Sequence, residues 1–312
     1  MITREIDVLR SSVKGEVLTN ELMSKHTSFR IGGPAEVFVK PSSTDDLKKV
    51  LEWAKRNSQN IFVMGNGTNL IVSDDGIEGV VIKMADTFAN IQYDGSEAMV
   101  ESGTSMQYFL EESLRKGLGG MEFAWGIPGA VGGSIVMNAG SNSHFISTKI
   151  NYVDVMDFNG RKLRLSHDDL KFDYRYSVLQ EEPLILLNAL FTLDKKDVAM
   201  MKVERESFIK SRWEKQPIDF PCAGSVFKNP PTTYAGKVLE EVGCKGMQVG
   251  GAKISEKHAN FIVNLGNATA SDVLSLIKEA QQRVYKQKDL ILELEIKLVG
   301  NFQTSYLLER NK

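Results

Sequence analysis

The sequence predicts an α+β protein of two domains. With 312 residues the chain is long enough for two hydrophobic cores, and its 42% hydrophobic and 25% charged content is typical of soluble globular proteins. Strand patterns alternate with helix patterns, and glycine-rich turns follow several strands. We place the domain boundary near residue 198, which gives domains 1–198 and 199–312, and we divide the first into two α/β subdomains.

The first subdomain combines two predicted helices with three strands. Four apolar residues at helical spacing predict an amphipathic helix at the N-terminus: Ile2, Ile6, Leu9 and Val13. Ser43 is placed to cap a second helix, and Asp45 and Asp46 favour the positive end of its dipole. Apolar runs predict strands at 35–40, 61–64 and 79–83.

The second subdomain is predicted from a helix and a hairpin. Thr104 is placed to cap a helix that ends at the glycines of 117–120. Asn159-Gly160 is a strong hairpin turn between strands 151–158 and 162–165. Further strands are predicted at 98–102 and 184–193.

The second domain follows a charged helical segment at 195–211. One of its predicted helices spans 234–242, and another is capped by Thr269 or Ser271 and runs to Lys286. Its predicted strands are 225–227, 261–264 and 290–299. Alternation along the last strand puts Glu293, Glu295 and Lys297 on one face.

Composition excludes several functions. The net charge of −2, with Lys and Arg spread along the chain, argues against a nucleic-acid surface. The four His residues and the two Cys, Cys222 and Cys244, have no metal-binding spacing, so we expect no metal and reduced thiols. No apolar run has the length of a membrane span, and the N-terminus lacks the apolar core of a signal peptide. We expect a cytoplasmic protein that binds small molecules and neither nucleic acid nor membrane. The sequence leaves its oligomeric state open, and a monomer is the favoured expectation.

Two glycine-rich loops are the strongest indication of a ligand. The first, Gly65-Asn66-Gly67-Thr68-Asn69, follows a strand, and the second is Gly126-Ile127-Pro128-Gly129-Ala130-Val131-Gly132-Gly133. Glycine lets main-chain amides approach a phosphate, so two such loops in one domain predict a large ligand with a diphosphate. Neither loop is the G-x-G-x-x-G of a Rossmann site. Either loop alone is better explained as a tight turn between strands.

Each candidate catalytic residue can also be explained, from its local sequence, by a purely structural role. Ser225 has no histidine beside it in the sequence and lies outside any Gly-x-Ser-x-Gly motif, so it is equally a turn residue. The guanidinium of Arg175 suits either a substrate carboxylate or an ion pair with Asp173. Glu293 and Glu295 are equivalent by periodicity alone.

Taken together, the motifs resemble the UDP-N-acetylenolpyruvoylglucosamine reductases, flavoenzymes that make UDP-N-acetylmuramate for bacterial peptidoglycan. The blocks that match besides the two glycine loops stand in the family's order: Thr27-Ser28-Phe29-Arg30-Ile31-Gly32-Gly33, Met137-Asn138-Ala139-Gly140, Tyr174-Arg175-Tyr176-Ser177, Lys215-Gln216-Pro217, 223–230, 245–251 and Lys257-His258-Ala259. The resemblance runs from about Thr27 to Gly300, nearly the whole chain.

The resemblance implies a fold and two nucleotide cofactors. The fold is the FAD-binding fold of the vanillyl-alcohol oxidase/PCMH type, followed by a smaller α+β substrate-binding domain. FAD binds without a covalent bond, and NADPH is the co-substrate. The residues expected to bind FAD are Gly65, Asn66, Gly67, Thr68, Asn69, Leu70, Gly126, Ile127, Pro128, Gly129, Ala130, Gly132 and Gly133.

The resemblance also implies roles for particular side chains. Arg175 binds the enolpyruvyl carboxylate, and Ser225 is the general acid that protonates carbon after hydride delivery. Glu295 acts with Arg175, because the family's acid directly precedes the motif Ile296-Lys297-Leu298-Val299-Gly300. The residues expected to bind the UDP-sugar are Arg212, Lys215, Asn229 and Gln248.

The chain departs from the family pattern in three places. Residues 141–145 replace the usual Ala-Tyr-Gly-Gly-Glu, Trp213-Glu214 is unusual beside Arg212, and the tyrosine loop of one subgroup is missing, so the chain resembles the shorter, second type. Another flavin oxidase is one alternative, but His and Cys, which tether FAD in such enzymes, are missing between Gly65 and Gly140. A flavin-binding paralogue without turnover is the other alternative, and the joint presence of the three expected catalytic residues argues against it.

Overall fold

The computed structural model describes residues 2–141, 143–302 and 307–308. These residues form two compact units. Unit 1 comprises Met1–Thr19, Val37–Asn66 and Gly79–Arg212, and unit 2 comprises Asn20–Glu36, Gly67–Glu78 and Trp213–Lys312. The chain thus enters unit 2 three times, and its last change of unit falls inside a helix that begins at Val198. The division into functional domains at 198 stays a prediction.

The secondary structure follows the predicted order with several additional short strands. The helices are α1 (Ile2–Ser12), α2 (Thr44–Arg56), α3 (Met106–Arg115), α4 (Val131–Val136), α5 (Val198–Lys215), α6 (Ala235–Glu241) and α7 (Ala270–Lys288). The strands are β1 (Glu16–Leu22), β2 (Pro34–Lys40), β3 (Ile61–Met64), β4 (Leu70–Val72), β5 (Ile77–Lys83), β6 (Ile91–Asp94), β7 (Glu97–Glu101), β8 (Leu118–Gly119), β9 (Gly140–Ser141), β10 (His144–Phe145), β11 (Ile150–Asp157), β12 (Lys162–Ser166), β13 (Leu184–Thr192), β14 (Asp194–Lys195), β15 (Gln248–Val249), β16 (Ala252–Ile254), β17 (Ile262–Asn264) and β18 (Lys297–Val299).

The first sheet has the strand order β1-β2-β5-β3, and β3 runs parallel to β5. Helices α1 and α2 supply much of the core beside it, where Leu9, Leu47 and Val50 are fully buried. The predicted cap of α2 is confirmed, because the Ser43 hydroxyl accepts a hydrogen bond from the N–H of Asp46. The side chain of Ile2, which belongs to the predicted N-terminal helix, lies outside the described residues.

The second sheet of unit 1 is antiparallel, with strand order β12-β11-β13-β7-β6. The predicted hairpin between β11 and β12 is confirmed, and Gly160 adopts the positive φ of +81° that its turn requires. Helix α3 buries Phe109 in the same core as Phe191 of β13, and the two rings stand 4.9 Å apart. This core supports the segments that connect β7, α3 and α4.

Unit 2 packs α6 and α7 with a three-stranded antiparallel sheet, β15-β16-β17. Thr269 caps α7, which confirms one of the two predicted alternatives, and it forms a capping box with Asp272. A separate parallel pair joins β4 to β18, so that Leu70 stands opposite Lys297. This pair brings the end of the first glycine loop to the last strand of the chain.

Three local predictions were wrong. Ser105 precedes α3 as its N-cap without a side-chain hydrogen bond, so Thr104 is not the predicted cap. Residues 225–227 form no strand and contribute only an isolated bridge between Phe227 and Leu294. The strand predicted over 290–299 is restricted to Lys297–Val299. At 226–228 and 293–295, main-chain hydrogen bonds between the two segments replace regular strand pairing.

Two negative findings and one on the cysteines complete the description. Among the described residues, none of the helices is both long enough and apolar enough to cross a membrane, and none of the His, Cys, Asp and Glu residues cluster as metal ligands. Cys222 and Cys244 are free cysteines. Burial raises the pKa of both thiols, that of Cys244 to about 11, so both stay protonated at neutral pH.

Candidate active site

Parts of the two predicted glycine loops come together in unit 1. Gly65 directly follows β3, and a Cβ on this glycine would stand 3.3 Å from the Cβ of Ala130 in the second loop. That spacing is tighter than ordinary van der Waals contact between side-chain carbons, so the loops touch at this point. Because the two loops are in contact here, a single ligand can reach both of them.

Main-chain hydrogen bonds hold the second loop against residues 102–104. The N–H groups of Val131 and Gly132 donate to the carbonyls of Thr104 and Ser102, each over 2.8 Å. A Cβ on Gly132 would lie 2.8 Å from the Cβ of Ser102, so only glycine fits at this position. By contrast, a Cβ on Gly133 would have no atom within 4 Å, so the loop presents open space on that side.

Four buried side-chain oxygens in this region have no hydrogen-bond partner within the part of the chain that the structure describes: Asn66 Oδ1, Ser102 Oγ, Thr104 Oγ1 and Asn188 Oδ1. Asn66 belongs to the first loop, and Asn188 stands opposite Glu101, the residue before Ser102. Buried polar atoms normally have partners, because desolvation without a hydrogen bond costs free energy. FAD offers phosphate, ribityl and ring atoms for such bonds, so these residues fit the cofactor.

Ser102, Thr104 and Asn188 were not expected at this site from the sequence. Thr104 was predicted only to cap a helix. In the structure it is 0% exposed and lies beside the second loop. No local pattern distinguishes a buried hydroxyl with a ligand partner from a capping hydroxyl. The remaining loop residues, Ile127 and Pro128, continue the second loop, and the N–H of Ile127 donates to the carbonyl of Ala124.

The second half of the first loop, Gly67 to Leu70, lies in unit 2. Gly67 has a φ of +64°, and its carbonyl accepts a hydrogen bond from the N–H of Ser28. The carbonyl of Asn69 accepts from the N–H of Lys297 over 3.0 Å, and the side-chain amide of Asn69 donates to the carbonyl of Glu295 over 3.1 Å. A predicted FAD-binding residue is therefore adjacent to a predicted catalytic residue.

Arg175 occupies a tight turn of unit 1. Asp173 and Tyr176 exchange main-chain hydrogen bonds, and Arg175 between them has a φ of +56°, an uncommon conformation for a residue with a side chain. Gln180 donates its side-chain amide to the Arg175 carbonyl over 3.0 Å, and Arg175 donates Nη2 to the carbonyl of Gly140 over 3.1 Å. Strained backbone of this kind is often found at functional sites, where surrounding bonds hold it in place.

Arg212, predicted to bind substrate, lies beside the second glycine loop in unit 1. A Cβ on Gly126 would lie 2.7 Å from the Cδ of Arg212, and Gly126 has a φ of +76°. Burial lowers the pKa of the Arg212 guanidinium, and the positive charge of Arg175 lowers it further. Two guanidinium groups that repel each other form a region suited to an anion such as a carboxylate or phosphate.

The described residues of the segment that departs from the family pattern, Ser141 and 143–145, contribute to a pair of short strands in unit 1. β9 pairs with β10, and Gly140 stands opposite Phe145. Ser143 has a φ of +64°, and Asn142 lies outside the described residues. The ring of Phe145 meets the edge of Tyr174 at 6.5 Å, next to Arg175. The altered residues thus support the turn that carries Arg175.

Ser225 and Glu295 are brought together in unit 2. The N–H of Glu295 donates to the carbonyl of Val226 over 2.9 Å, so the main chain of Glu295 is bonded to the residue that follows Ser225. On the same side, the N–H of Lys228 donates to the carbonyl of Glu293 over 2.9 Å. Residues 226–228 therefore run beside residues 293–295, although they form no regular strand pair.

Ser225 lines a cavity of about 320 Å³ within unit 2. Asn229 lines the same cavity, and its side-chain oxygen accepts the N–H of Ala235 at the start of α6. Tyr234, which is 71% exposed, and Lys257 also line it. A second lysine and a glutamate line it as well, so the cavity combines a hydroxyl, an amide, an aromatic ring, two cations and one carboxylate, which suits a polar ligand.

His258 lines the cavity together with Ser225, although the two are far apart in the sequence. Burial lowers the pKa of His258, and the positive charge of Lys245 lowers it further, so the ring is neutral at pH 7. The Nδ1 atom accepts the N–H of Asn260 over 3.2 Å, which leaves the proton of the neutral ring on Nε2. The block Lys257-His258-Ala259 marked this residue as part of the family pattern but suggested no role.

The structure does not bring Lys215 and Gln248 to this cavity. Lys215 is exposed at the end of α5, and Gln248 is exposed on β15, where its side-chain amide donates to the carbonyl of Gly250. Neither contributes to the cavity that Ser225 and Asn229 line. Their contact with the UDP-sugar stays a prediction.

Comparison with known proteins identifies both parts of the chain. Residues 35–166 match the model of the FAD binding domain, and residues 216–299 match that of the UDP-N-acetylenolpyruvoylglucosamine reductase C-terminal domain. The UDP-N-acetylenolpyruvoylglucosamine reductase of Caldanaerobacter subterraneus subsp. tengcongensis is 45% identical over 95% of this chain and 98% of its own length. That of Moorella thermoacetica is 40% identical over 94% of this chain and 96% of its own.

A solved structure agrees with these matches. The crystal structure of UDP-N-acetylenolpyruvylglucosamine reductase from Thermus caldophilus aligns with a TM-score of 0.77 and 32% identity, over 92% of this chain and 99% of that one. The predicted fold class and the FAD cofactor are confirmed by the family models and by this likeness. The chain belongs to the UDP-N-acetylenolpyruvoylglucosamine reductase family.

Proposed function

We propose that this protein is an FAD-dependent enzyme that uses NADPH to reduce the enolpyruvyl group of UDP-N-acetylglucosamine enolpyruvate. The product is the lactyl ether UDP-N-acetylmuramate, a precursor of peptidoglycan. The observation that carries the proposal is the chain of contacts in unit 2 that connects Asn69 of a cofactor loop, Glu295 and the segment after Ser225. Cofactor-binding and catalytic residues are thereby held in one connected frame.

The overall reaction adds one hydride and one proton to a carbon–carbon double bond. The two glycine loops would hold FAD, which would supply hydride chemistry, with NADPH as the source of the hydride and the terminal carbon of the enolpyruvyl group as its acceptor. The Ser225 hydroxyl gives its proton to the other carbon and is then reprotonated from solvent. A neutral hydroxyl is a weak acid, so groups nearby must stabilise the alkoxide that forms or relay a proton to it.

Charged side chains orient the substrate and stabilise its intermediate. Arg175 binds the enolpyruvyl carboxylate by paired hydrogen bonds, and Glu295 acts with it on the enolate-like intermediate. The repulsion between Arg175 and Arg212 is relieved when an anionic substrate lies between their charges. Arg212 and Lys215 bind the diphosphate, while Asn229 and Gln248 bind the uracil or sugar through their amides.

FAD is held through main-chain amides of both glycine loops and through the buried oxygens beside them. We add Ser102, Thr104 and Asn188 to the thirteen residues expected from the sequence, because their oxygens require partners. Residues 1–198 form the FAD-binding domain and residues 199–312 the substrate-binding domain. The enzyme acts as a monomer in the cytoplasm, where NADPH and the nucleotide sugar are found.

The test is a pair of half-reactions followed in the flavin absorption band. The purified protein should carry FAD that acid or heat releases, and NADPH should bleach it without oxygen. Adding UDP-N-acetylglucosamine enolpyruvate should restore the band. Ser225→Ala should be reduced normally by NADPH but reoxidised at least about 10²-fold more slowly. Reduced wild-type enzyme that only oxygen reoxidises would contradict the proposed substrate.

A further inference from the structure

The side chain of Asn260 makes hydrogen bonds to the main chain close to Ser225, as a neighbouring strand would. Its Oδ1 accepts the N–H of Phe227 over 2.9 Å, and its Nδ2 donates to the carbonyl of Phe227 over 2.8 Å. The carbonyl of Asn260 also accepts the N–H of Val226 over 2.9 Å. The side chain is 3% exposed, and it contacts both hydrogen-bonding groups of a residue that belongs to no regular strand.

The opposite edge of the same segment is bonded to the Glu295 segment. The carbonyl of Val226 accepts the N–H of Glu295, and the N–H of Lys228 donates to the carbonyl of Glu293, each over 2.9 Å. Residues 226–228 are therefore bonded on one side to Asn260 and on the other to 293–295. Removing the Asn260 side chain takes away both of its bonds to Phe227 and leaves the segment held by main-chain bonds alone, so that Ser225 can shift relative to Glu295.

Asn260 is also bonded to a residue of the cavity wall. Its N–H donates to the Nδ1 of His258, and His258 and Ser225 line the same cavity. The Asn260 amide atoms themselves are engaged by Phe227, so they act through the main chain. Asn260 is thus bonded through its side chain to the segment that follows Ser225 and through its main chain to the imidazole of His258.

We propose that Asn260 is a positioning residue for proton transfer, which keeps the Ser225 hydroxyl in register with Glu295. The inference rests on the proposed function, since proton transfer from Ser225 is the step that Asn260 supports. Misplacing a reacting group by about 1 Å costs on the order of 10²-fold in rate. Losing Asn260 should therefore affect protonation of the substrate and spare flavin reduction, which does not use Ser225.

The chain offers a matched control in Asn264, which lies in the same unit. Asn264 is also 3% exposed, and its side chain makes three hydrogen bonds, to the carbonyl of Phe29 and from the N–H groups of Gly266 and Ala268. None of these bonds involves residues 225–228. Asn260→Ser and Asn264→Ser therefore remove comparable buried hydrogen bonds and should lower the Tm of the FAD-bound enzyme by similar amounts.

The experiment compares both half-reactions in the two variants by stopped-flow absorption. Asn260→Ser should slow reoxidation by UDP-N-acetylglucosamine enolpyruvate by about 10- to 100-fold, while NADPH reduction and substrate Kd change by less than about threefold. Asn264→Ser should leave all three within about threefold. An equal slowing of reoxidation in both variants would show that Asn260 has only a structural role and would overturn the proposal.

A double-mutant cycle ties the effect to Ser225. In the Ser225→Ala background, Asn260→Ser should change reoxidation less than about twofold, because the group that it positions has been removed. A full additional 10- to 100-fold loss would overturn the proposal. If Asn260→Ser does not fold, Asn260→Asp keeps the acceptor for the Phe227 N–H and should show the same selective loss. Wild-type enzyme that fails to react with this substrate would overturn the proposed function and this role with it.

Discussion

Asn69 donates its side-chain amide to the main-chain carbonyl of Glu295 over 3.1 Å, beside the parallel pairing of β4 with β18. The N–H of Lys297 returns a bond to the carbonyl of Asn69. These two bonds place Glu295, rather than Glu293, next to the loop predicted to bind FAD. This contact joins parts of the chain more than 200 residues apart, and it favours Glu295 where periodicity left the choice open.

Glu295→Gln should impair turnover much more than Glu293→Gln. Glu295 is bonded through its main chain to both Asn69 and Val226, whereas the Glu293 carboxylate lies 3.8 Å from Lys228 in a partly exposed ion pair. We expect a loss of at least about 10²-fold in kcat for Glu295→Gln and less than about threefold for Glu293→Gln. Steady-state turnover and substrate titration of the flavin spectrum measure both effects. Equal losses, or a greater loss for Glu293→Gln, would contradict the assignment.

Thr104→Val should separate cofactor binding from protein stability. The Thr104 hydroxyl is buried without a partner in the described chain, so an apolar isostere should leave the apoprotein equally stable or slightly more stable. If the hydroxyl binds FAD, the Kd for FAD should rise by about tenfold, the equivalent of about 1.4 kcal/mol. Flavin fluorescence quenching and urea unfolding of the apoprotein measure the two quantities.

Thr87→Val is the matched control for that prediction. The Thr87 hydroxyl donates to the carbonyl of Met84 over 3.0 Å, so this variant should destabilise the apoprotein by about 1 kcal/mol and leave the FAD affinity unchanged. If Thr104→Val bound FAD with wild-type affinity, Thr104 would be removed from the cofactor site.

Gly129→Val should yield protein with little or no FAD. Gly129 has a φ of +126°, which a β-branched residue adopts only with strain, and the added side chain blocks the approach of main-chain amides to the diphosphate. Gly266→Val is the control, since Gly266 has a φ of +124° and a Cβ there would meet no atom within 4 Å. Both variants should lose stability, but only Gly129→Val should lose flavin absorbance per mole of protein. Full flavin content in Gly129→Val would exclude this glycine from the cofactor site.

Asp46→Asn should destabilise unit 1 in a pH-dependent way. Burial raises the pKa of Asp46, but hydrogen bonds from Ser42, Lys14 and Gly15 outweigh it, so the pKa in the folded protein is lower than usual. The carboxylate therefore contributes stability above the unfolded-state pKa of about 4, and this contribution is lost as the pH falls through the folded-state value.

The measurement is urea unfolding of wild type and Asp46→Asn at several pH values. At pH 7 the variant should be less stable by about 2–3 kcal/mol, because its amide group presents hydrogens to donors. The difference should shrink below pH 4, as Asp46 becomes protonated in the wild type. A difference that stays constant between pH 7 and pH 3 would show that the ionised carboxylate is not the cause.

Sequence alone determined the features that depend on a few neighbouring residues. Ser43 and Thr269 cap their helices, and Asn159-Gly160 forms the hairpin turn, because each signal acts over one turn of chain. The two glycine loops were recognisable for the same reason. The succession of motifs also indicated the family, which the comparisons confirmed, although no single motif was specific enough.

Only the tertiary structure decided which residues share a site. Thr104 was predicted from the sequence to cap a helix. Beside the second loop, its buried hydroxyl has no hydrogen-bond partner among the described residues. Ser225 was expected on a strand, yet Asn260 and Glu295 provide the hydrogen bonds for the residues that follow it. These arrangements depend on contacts between distant segments, whose free energy overrides local propensity and leaves no trace in spacing or periodicity.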